Sequence, residues 1–532
     1  MNSLPAIPGN GDIISENSIS DPQTHNALIS RGGDGENGHS NKDATGRLTW
    51  PLLFAAIVVT LGSSFQFGWN TGVINSPGKV IQEWYREIYR KRHGYNFSGD
   101  PNVTTLAPGD IDKNMLDALW SVTVSMFAVG GMIGGITTGF WTDKFGSKKT
   151  LLSINALAIL GGALEFSSRY LHSYEVLIFG RLIIGINSGL VSGAAPLYLT
   201  EIAPVNLRGE LGSSHQFVVT IAILLSQILG LPMILGNAEY WPVLFALTIV
   251  PAVGQLVLLP TCPESPRYLL LTRQQATKAQ NVLVRLRQTV NVHGEMEEMK
   301  RENDRLLAKD KVSFVDVFKK RYYRMPIIIT IVMMLSQQLS GINAVFYYST
   351  RVFEEGAGIS PEAAVYATIG VGVANVIMSL VSVLLIDKLG RRTLHLLGLS
   401  GMEICTIVLT ISLVLLGKGM SWATWICILA VFFFVVSFAT GPGSIPWFIA
   451  GELFDQAARP MGMTVGVVTN WAANFLVGLC FPLLQNVIDE YIFLIFSAFL
   501  LVFIIFTWQC VPETKNRTVE DITAKYRRKS IG

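Results

Sequence analysis

The amino-acid sequence predicts an all-α membrane protein: twelve transmembrane helices in two six-helix halves, joined by a small helical insert on the cytoplasmic side. Three observations predict it. Only 15% of the 532 residues are charged and half are apolar, against about a quarter charged in a soluble chain. The charges gather in short segments between apolar runs, and a bilayer core of about 30 Å asks roughly 20 apolar residues of each helix that crosses it. Three charged motifs of the first half recur in the second half in the same order.

Residues 1–48 are rich in Gly, Ser, Asn and Asp and hold no apolar stretch. They are expected to form a disordered cytoplasmic tail without a cleavable signal. Spans are expected at 50–76, 116–141, 150–168, 176–199, 211–236 and 241–260, making an N-terminal half over 49–261. A second set is expected at 325–353, 363–386, 394–416, 422–450, 461–483 and 491–511, making a C-terminal half over 325–511. These runs must be helical, because backbone polar groups facing lipid find no other partners. The run Gly130-Gly131-Met132-Ile133-Gly134-Gly135 is expected to let neighbouring helices approach closely. Residues 262–324 are dense in charge, with helical spacing at 275–287 and 295–307. They read as a helical linker too short for a core of its own. Residues 512–532 form a second tail.

Orientation follows from the basic residues. Lys144, Lys148, Lys149, Arg208, Lys388, Arg391, Arg392 and Arg459 fall in one set of loops, and Glu239, Glu354, Glu355, Glu362, Asp489 and Glu490 in the other. The positive-inside rule puts the basic set and both termini in the cytoplasm. Residues 80–115 are then an external loop, where Arg86, Arg90, Lys91 and Arg92 are balanced by Glu83, Glu87, Asp100, Asp110 and Asp112. This loop carries glycosylation sequons at Asn96 and Asn102.

The repeat consists of Asp143-Lys-Phe-Gly-Ser-Lys-Lys149 against Asp387-Lys-Leu-Gly-Arg-Arg392, Glu201 with Arg208 against Glu452 with Arg459, and Pro263-Glu-Ser-Pro-Arg267 against Pro512-Glu-Thr-Lys515. Two related halves can rock about a central site and open it to one side at a time. The charges Asp143, Lys148, Glu201, Arg208, Asp387, Arg391, Arg392, Glu452 and Arg459 either latch the outward-open state across helix ends or set topology alone.

Neutral amides punctuate the spans: Gln216, Gln337, Gln338, Asn343, Asn375, Asn470 and Asn474, with Trp447 nearby. A sugar hydroxyl both donates and accepts, and leaving water without partners costs a few kcal/mol per group. Amides answer that need, whereas an ion path favours carboxylates. Each amide alone could equally bind helix to helix. Gln338 with Asn343, and Asn470 with Asn474, are spaced to share a helix face. Glu165 and Glu403 also lie within spans, either near helix ends or facing polar partners. The five cysteines form no CxxC pair, which gives no support for a metal or redox site. No nucleophile–base motif or P-loop is present, so no enzyme and no cofactor are implied. A net charge of +3 does not suggest nucleic acid.

The motifs Gln66-Phe-Gly-Trp-Asn70-Thr-Gly-Val-Ile-Asn75, Gly180-Arg181, Pro263-Glu-Ser-Pro-Arg267, Gln337-Gln-Leu-Ser-Gly-Ile-Asn343, Asp387-Lys-Leu-Gly-Arg-Arg392, Gly441-Pro-Gly-Ser-Ile-Pro-Trp447 and Pro512-Glu-Thr-Lys515 resemble those of the sugar porter family of the major facilitator superfamily. Within it, the chain resembles the animal facilitative glucose transporters, from about residue 50 to 520. The resemblance implies a plasma-membrane uniporter for hexoses: glucose, with galactose, mannose or fructose as other candidates. It places sugar contacts on Gln216, Gln337, Gln338, Asn343, Asn375, Trp447 and Asn470. Gating falls to Asn70, Tyr347, Tyr348 and Asn474, with the two tyrosines in the external gate. Ala439 stands where the family commonly has glutamate, Ser444 where it has proline, and Met334 where glucose-selective members have glutamine. These departures predict broader sugar selection. Proton-coupled relatives carry an Asp where this chain has Asn70, beside Arg181, and an amide cannot exchange a proton. The alternatives are a proton–sugar symporter of the same fold and a sugar sensor.

Overall fold

The computed structural model describes residues 46–93, 111–307, 314–455, 458–515 and 517. Its helices include twelve long and apolar enough to cross a membrane. Spans one to six are Trp50–Gly72, Lys113–Phe145, Ser147–Tyr170, Tyr174–Ile202, Val205–Leu229 and Trp241–Thr261. Spans seven to twelve are Arg321–Tyr347, Glu362–Ile386, Arg391–Gly417, Ala423–Glu452, Arg459–Ile488 and Ile492–Cys510. At 1.5 Å per residue, each covers most or all of a bilayer core. The expected sites Asn96 and Asn102 lie outside the described residues.

Between the halves, the insert folds as helices Ala276–Arg287, His293–Leu307 and Phe314–Lys319, close to the expected pieces. It marks one end of the bundle, called here the insert end. Two corners at this end show the repeat in three dimensions. Span two turns into span three at Gly146 (φ 87°), and span eight into span nine at Gly390 (φ 88°). Both corners need the left-handed backbone that glycine takes without strain. The next helix is capped each time by a glutamate from the far end of its own half. Glu264 accepts the N–H of Lys148 at 3.0 Å, and Glu513 accepts those of Arg391 and Arg392 at 2.9 and 3.1 Å. A carboxylate at a helix N-terminus meets both unpaired N–H groups and the positive end of the dipole.

Residues 80–115 are not simply a loop. Gly78–Arg92 is a helix, whose Ile81, Trp84, Tyr85 and Ile88 are buried. That i, i+3, i+4, i+7 stripe is the helical period, overshadowed in the sequence by the balanced charges around it.

The glycine run of span two works on two faces. Gly130 and Gly134 press against the backbone of span four, at Leu182 and Ile186, while Gly131 and Gly135 receive Trp471 and Val467 of span eleven. Spans five and eight meet where Gln227 lies against Gly372. At the end opposite the insert, one apolar core runs through both halves, from Trp69, Trp84 and Trp241 to Phe353, Phe434 and Phe496. Lys79 pairs with Glu354 across the halves at 2.5 Å, and Asn486 donates to Asp117 at 2.7 Å. Toward the insert end the cores are separate. One gathers Leu52, Leu151, Tyr198 and Leu286, and the other Val317, Ile327, Ile449 and Val511. The halves are therefore sealed together at one end and packed independently at the other.

Candidate functional site

Two spans of the C-terminal half break side by side. Span seven ends its first helix at Gln338 and resumes at Ile342, with Gly341 at φ 95°. Span ten unwinds over Gly441-Pro-Gly-Ser444 between helices Ala423–Thr440 and Ile445–Glu452. Pro442 cannot donate to a helix, and Gly441 has no side chain because the Leu394 carbonyl occupies its Cβ position. The break frees backbone carbonyls. Gln337 donates to Pro442 O at 3.1 Å and to Gly443 O at 2.7 Å.

From this anchor the amides link to one another. Asn470 of span eleven donates to Gln337 Oε1 at 2.6 Å, and Gln338 donates to Gln337 Oε1 at 3.2 Å and to Asn470 Oδ1 at 3.0 Å. Asn343 donates to Gln338 Oε1. Gln338 and Asn343 thus meet across a helix break, not along the single helix face that their spacing suggested. An amide offers two donors and two acceptor positions, and Gln337 uses all four. Asn343 and Gln338 keep capacity for a polyol, which can replace an amide–amide bond by bonds of the same kind. All four side chains are buried.

The other expected residues surround this cluster or stand apart. Asn375 is buried in span eight. Gln216 in span five and Trp447 just past the span-ten break are half-buried. Tyr347 donates to Asn474 at 3.1 Å, and the side chain of Tyr348 lies outside the described residues. Ala439 is buried at the end of the first helix of span ten, and Met334 Sδ accepts from Asn470 Nδ2 at 3.7 Å. The sequence reading missed Trp471. Its ring packs between halves against Phe67 and Phe127, with centroids 5.9 and 5.8 Å away, and supplies aromatic surface next to Asn470. Its position beside Asn470 was the available signal.

A second polar network, also missed, fills the N-terminal half. Span one carries a π-helical turn at Thr60–Ser64. Beside it, Gln66 donates to Asn155 at 2.9 Å and Asn155 to Gln255 at 2.8 Å. Gln255 donates to Ser63 at 2.8 Å, and Ser64 bonds His215 at 2.7 Å. Asn70, expected at a gate, is fully buried and donates to Thr248 at 2.8 Å. Lone amides in the apolar spans three and six were the signal.

Both within-span carboxylates face polar partners. Glu403 accepts from Ser497 at 2.7 Å, and Glu165 lies beside Arg181. At the insert end, Ser147 donates to Glu201 at 2.5 Å and Lys148 to Cys262 O at 2.6 Å. Arg391 pairs with Glu452 at 3.4 Å, and Arg392 donates to Trp508 O. Asp143 is exposed, and Arg208 and Arg459 are partly so. The side chain of Asp387 lies outside the described residues.

The family model described as "Sugar (and other) transporter" matches residues 55–526. The chain belongs to the sugar transporter family. It is similar to the solute carrier family 2, facilitated glucose transporter member 3 of Canis lupus familiaris, 46% identical over 482 residues, 91% of this chain and 94% of that protein. Member 3 of Homo sapiens is 44% identical over 92% of this chain and 95% of its own length, and member 1 of Gallus gallus 44% over 91% and 94%. Among solved structures, this sugar transporter resembles the E. coli xylose transporter XylE in a partially occluded inward open conformation. The TM-score is 0.72 at 25% identity, covering 88% of this chain and 100% of that one. XylE described as a proton:xylose symporter, bound to 6-bromo-6-deoxy-D-glucose, gives a TM-score of 0.70 at 25% identity over 90% and 100%. The chain is thus a multi-pass membrane protein of the major facilitator fold.

Proposed function

We propose that this chain carries hexoses, glucose first among them, across the plasma membrane down their gradient and in either direction, by alternating access. The observation that carries the reading is the neutral amide cluster of Gln337, Gln338, Asn343 and Asn470 at two adjoining helix breaks. Hydrogen bonds worth about 1 kcal/mol each net sum to the few kcal/mol of millimolar binding, which lets a carrier release its cargo. The relatives' printed role as facilitated glucose transporters agrees with it.

Gln337 anchors the site, while Gln338, Asn343, Asn375, Gln216, Trp447 and Asn470 meet the sugar. Tyr347 and Asn474, with Tyr348 and Asn70, serve the gate at the end opposite the insert. The two halves, 49–261 and 325–511, are the rocking bodies. The insert end and both termini face the cytoplasm, and the sealed end faces outward. Asp143, Lys148, Glu201, Arg208, Asp387, Arg391, Arg392, Glu452 and Arg459 re-pair between halves when the insert end closes. Glu452→Lys with unchanged transport and unchanged access labelling would reduce them to topology signals.

The test is counterflow in proteoliposomes with unlabelled glucose, galactose, mannose, fructose and xylose. Glucose is expected to drive labelled glucose uptake, with galactose or fructose competing measurably because Met334 and Ala439 withhold two polar contacts. Absence of hexose counterflow in folded protein overturns the reading, and strict rejection of both competitors overturns the selectivity.

A further inference from the structure

Two charged side chains deep in the N-terminal half take no part in the sugar site. Glu165 of span three and Arg181 of span four are both fully buried. Their nearest approach is 3.9 Å, too long for a hydrogen bond. Neither carboxylate oxygen of Glu165, nor Nε and Nη2 of Arg181, has a hydrogen-bond partner among the described residues. Arg181 has other anchors. Its Nη1 donates to Asn70 O at 3.1 Å, near the negative end of the helix Phe65–Gly72, and its guanidinium lies 4.5 Å from the centre of the Phe127 ring. Glu165 has only the space left by Gly180, where a Cβ would lie 2.7 Å from Glu165 Cγ. A buried carboxylate without hydrogen bonds is costly as an anion, and a proton removes that cost.

The surroundings decide when the proton can exchange. The charge facing Glu165 is Arg181 of span four. Arg181 is itself faced by Tyr85 of the helix Gly78–Arg92 and by Tyr347 of span seven, in the other half. Spans one and six contribute the neutral Asn70 and Thr248. Glu165 sits in the last third of span three, toward the sealed end. On its insert side lies the N-terminal core of Leu151, Ile154 and Leu190, which belongs to one half and moves with it. On its other side stands Arg181, which Tyr347 faces from the other half, and the Tyr347 helix leaves when that end opens.

We propose that Glu165 is a proton-binding site that opens only to the compartment at the end opposite the insert. A bound proton favours the state closed at that end, and none is carried across. The proton enters and leaves by the same side, on the carboxylate oxygen, so sugar flux responds to the pH of one compartment without being driven by it. This rests on the transport reading above, and glucose counterflow at about pH 8 in the same protein tests that reading separately.

The experiment measures labelled glucose influx into cells at clamped internal pH while external pH is varied, then the reverse in inside-out vesicles. Influx is expected to fall at least about fivefold from pH ~8 to ~5.5 outside, the low end of a typical coupling, and to ignore internal pH. Glu165→Gln is expected to flatten the profile, and Glu165→Asp to keep it with a displaced midpoint. Should Glu165→Gln fail to reach the membrane, the aspartate variant and the one-sidedness decide. A flat wild-type profile, equal responses from both sides, an unchanged profile in the variants, or glucose concentrated by a pH gradient each overturns the proposal.

Discussion

In the C-terminal half, two spans unwind, span ten hands two freed backbone carbonyls to Gln337 of span seven, and the amides around it keep hydrogen-bonding capacity in reserve. In the N-terminal half, Gln66, Asn155, Gln255 and Ser63 interlock beside a π-helical turn that leaves the span continuous. Yet the corners at Gly146 and Gly390, with their glutamate caps, are near copies. Duplication has kept what fixes helix ends and let the halves diverge halfway along the spans. One half became the pliable side of the site, and the other a braced wall against which it moves.

The largest effect that could break this comparison is expected at Asn470→Ala. It takes from Gln338 Nε2 and from Gln337 Oε1 one of the two partners each has, leaving only the bond between them. At about 1 kcal/mol net for each of the two lost bonds, glucose counterflow should fall roughly thirtyfold while the protein still folds. Asn155→Leu removes as many bonds from the other network. It should cost stability instead, about 1–3 kcal/mol by the same reasoning, read as a lower thermal midpoint in detergent with sugar affinity of the folded fraction unchanged. If the two variants behaved alike, the braced wall would belong to the binding site and the division would fail.

The number of spans, the repeat and the linker helices were legible because each rests on a local pattern: an apolar run, a charged motif, a helical stripe. The site was legible in part. Gln337 through Asn343 stood out as amides in an apolar run, but the break between Gln338 and Asn343 was read as continuous helix, because a Ser-Gly pair is ordinary in a membrane span. Asn155 and Gln255 escaped notice because their meaning comes from meeting Gln66, 89 residues away in sequence from Asn155, and no pattern in one span announces a partner in another. Trp471 was passed over for Trp447 because pattern reading favours the residue inside the louder motif, Gly-Pro-Gly.

The caps sharpen the symmetrical side of the comparison. Glu264→Ala and Glu513→Ala should each cost about 1 kcal/mol, as losing a helix cap does, and equal values would show that the duplicated corners still do equal work. Glu264 adds a pH dependence. Burial pushes its carboxyl above the ordinary glutamate value, against the pull of the Lys148 and Ser265 N–H groups. A raised folded-state value means that its contribution to stability is full below the unfolded value and declines as pH rises through the folded one. Glu264→Gln keeps the acceptor and drops the desolvated charge, so thermal midpoints should be unharmed at neutral pH and vary less with pH than the wild type's.

The smallest effect expected is at the clasp on the sealed end. Lys79 is half-exposed where it meets Glu354, and an exposed pair is worth about 0–1 kcal/mol. The shared apolar core and the Asp117–Asn486 bond sit behind it and do most of the sealing. Lys79→Ala should therefore raise labelling of a cysteine placed at this end by no more than a few-fold, and high salt should blunt even that difference, because screening acts on exposed pairs first. Asn486→Leu should raise it further, since it removes a hydrogen bond to the buried Asp117 that ties the halves together in the closed state only. The reverse ranking would mean that the two halves are held shut by surface charge, and the contrast between a fused end and a divided end would lose its physical basis.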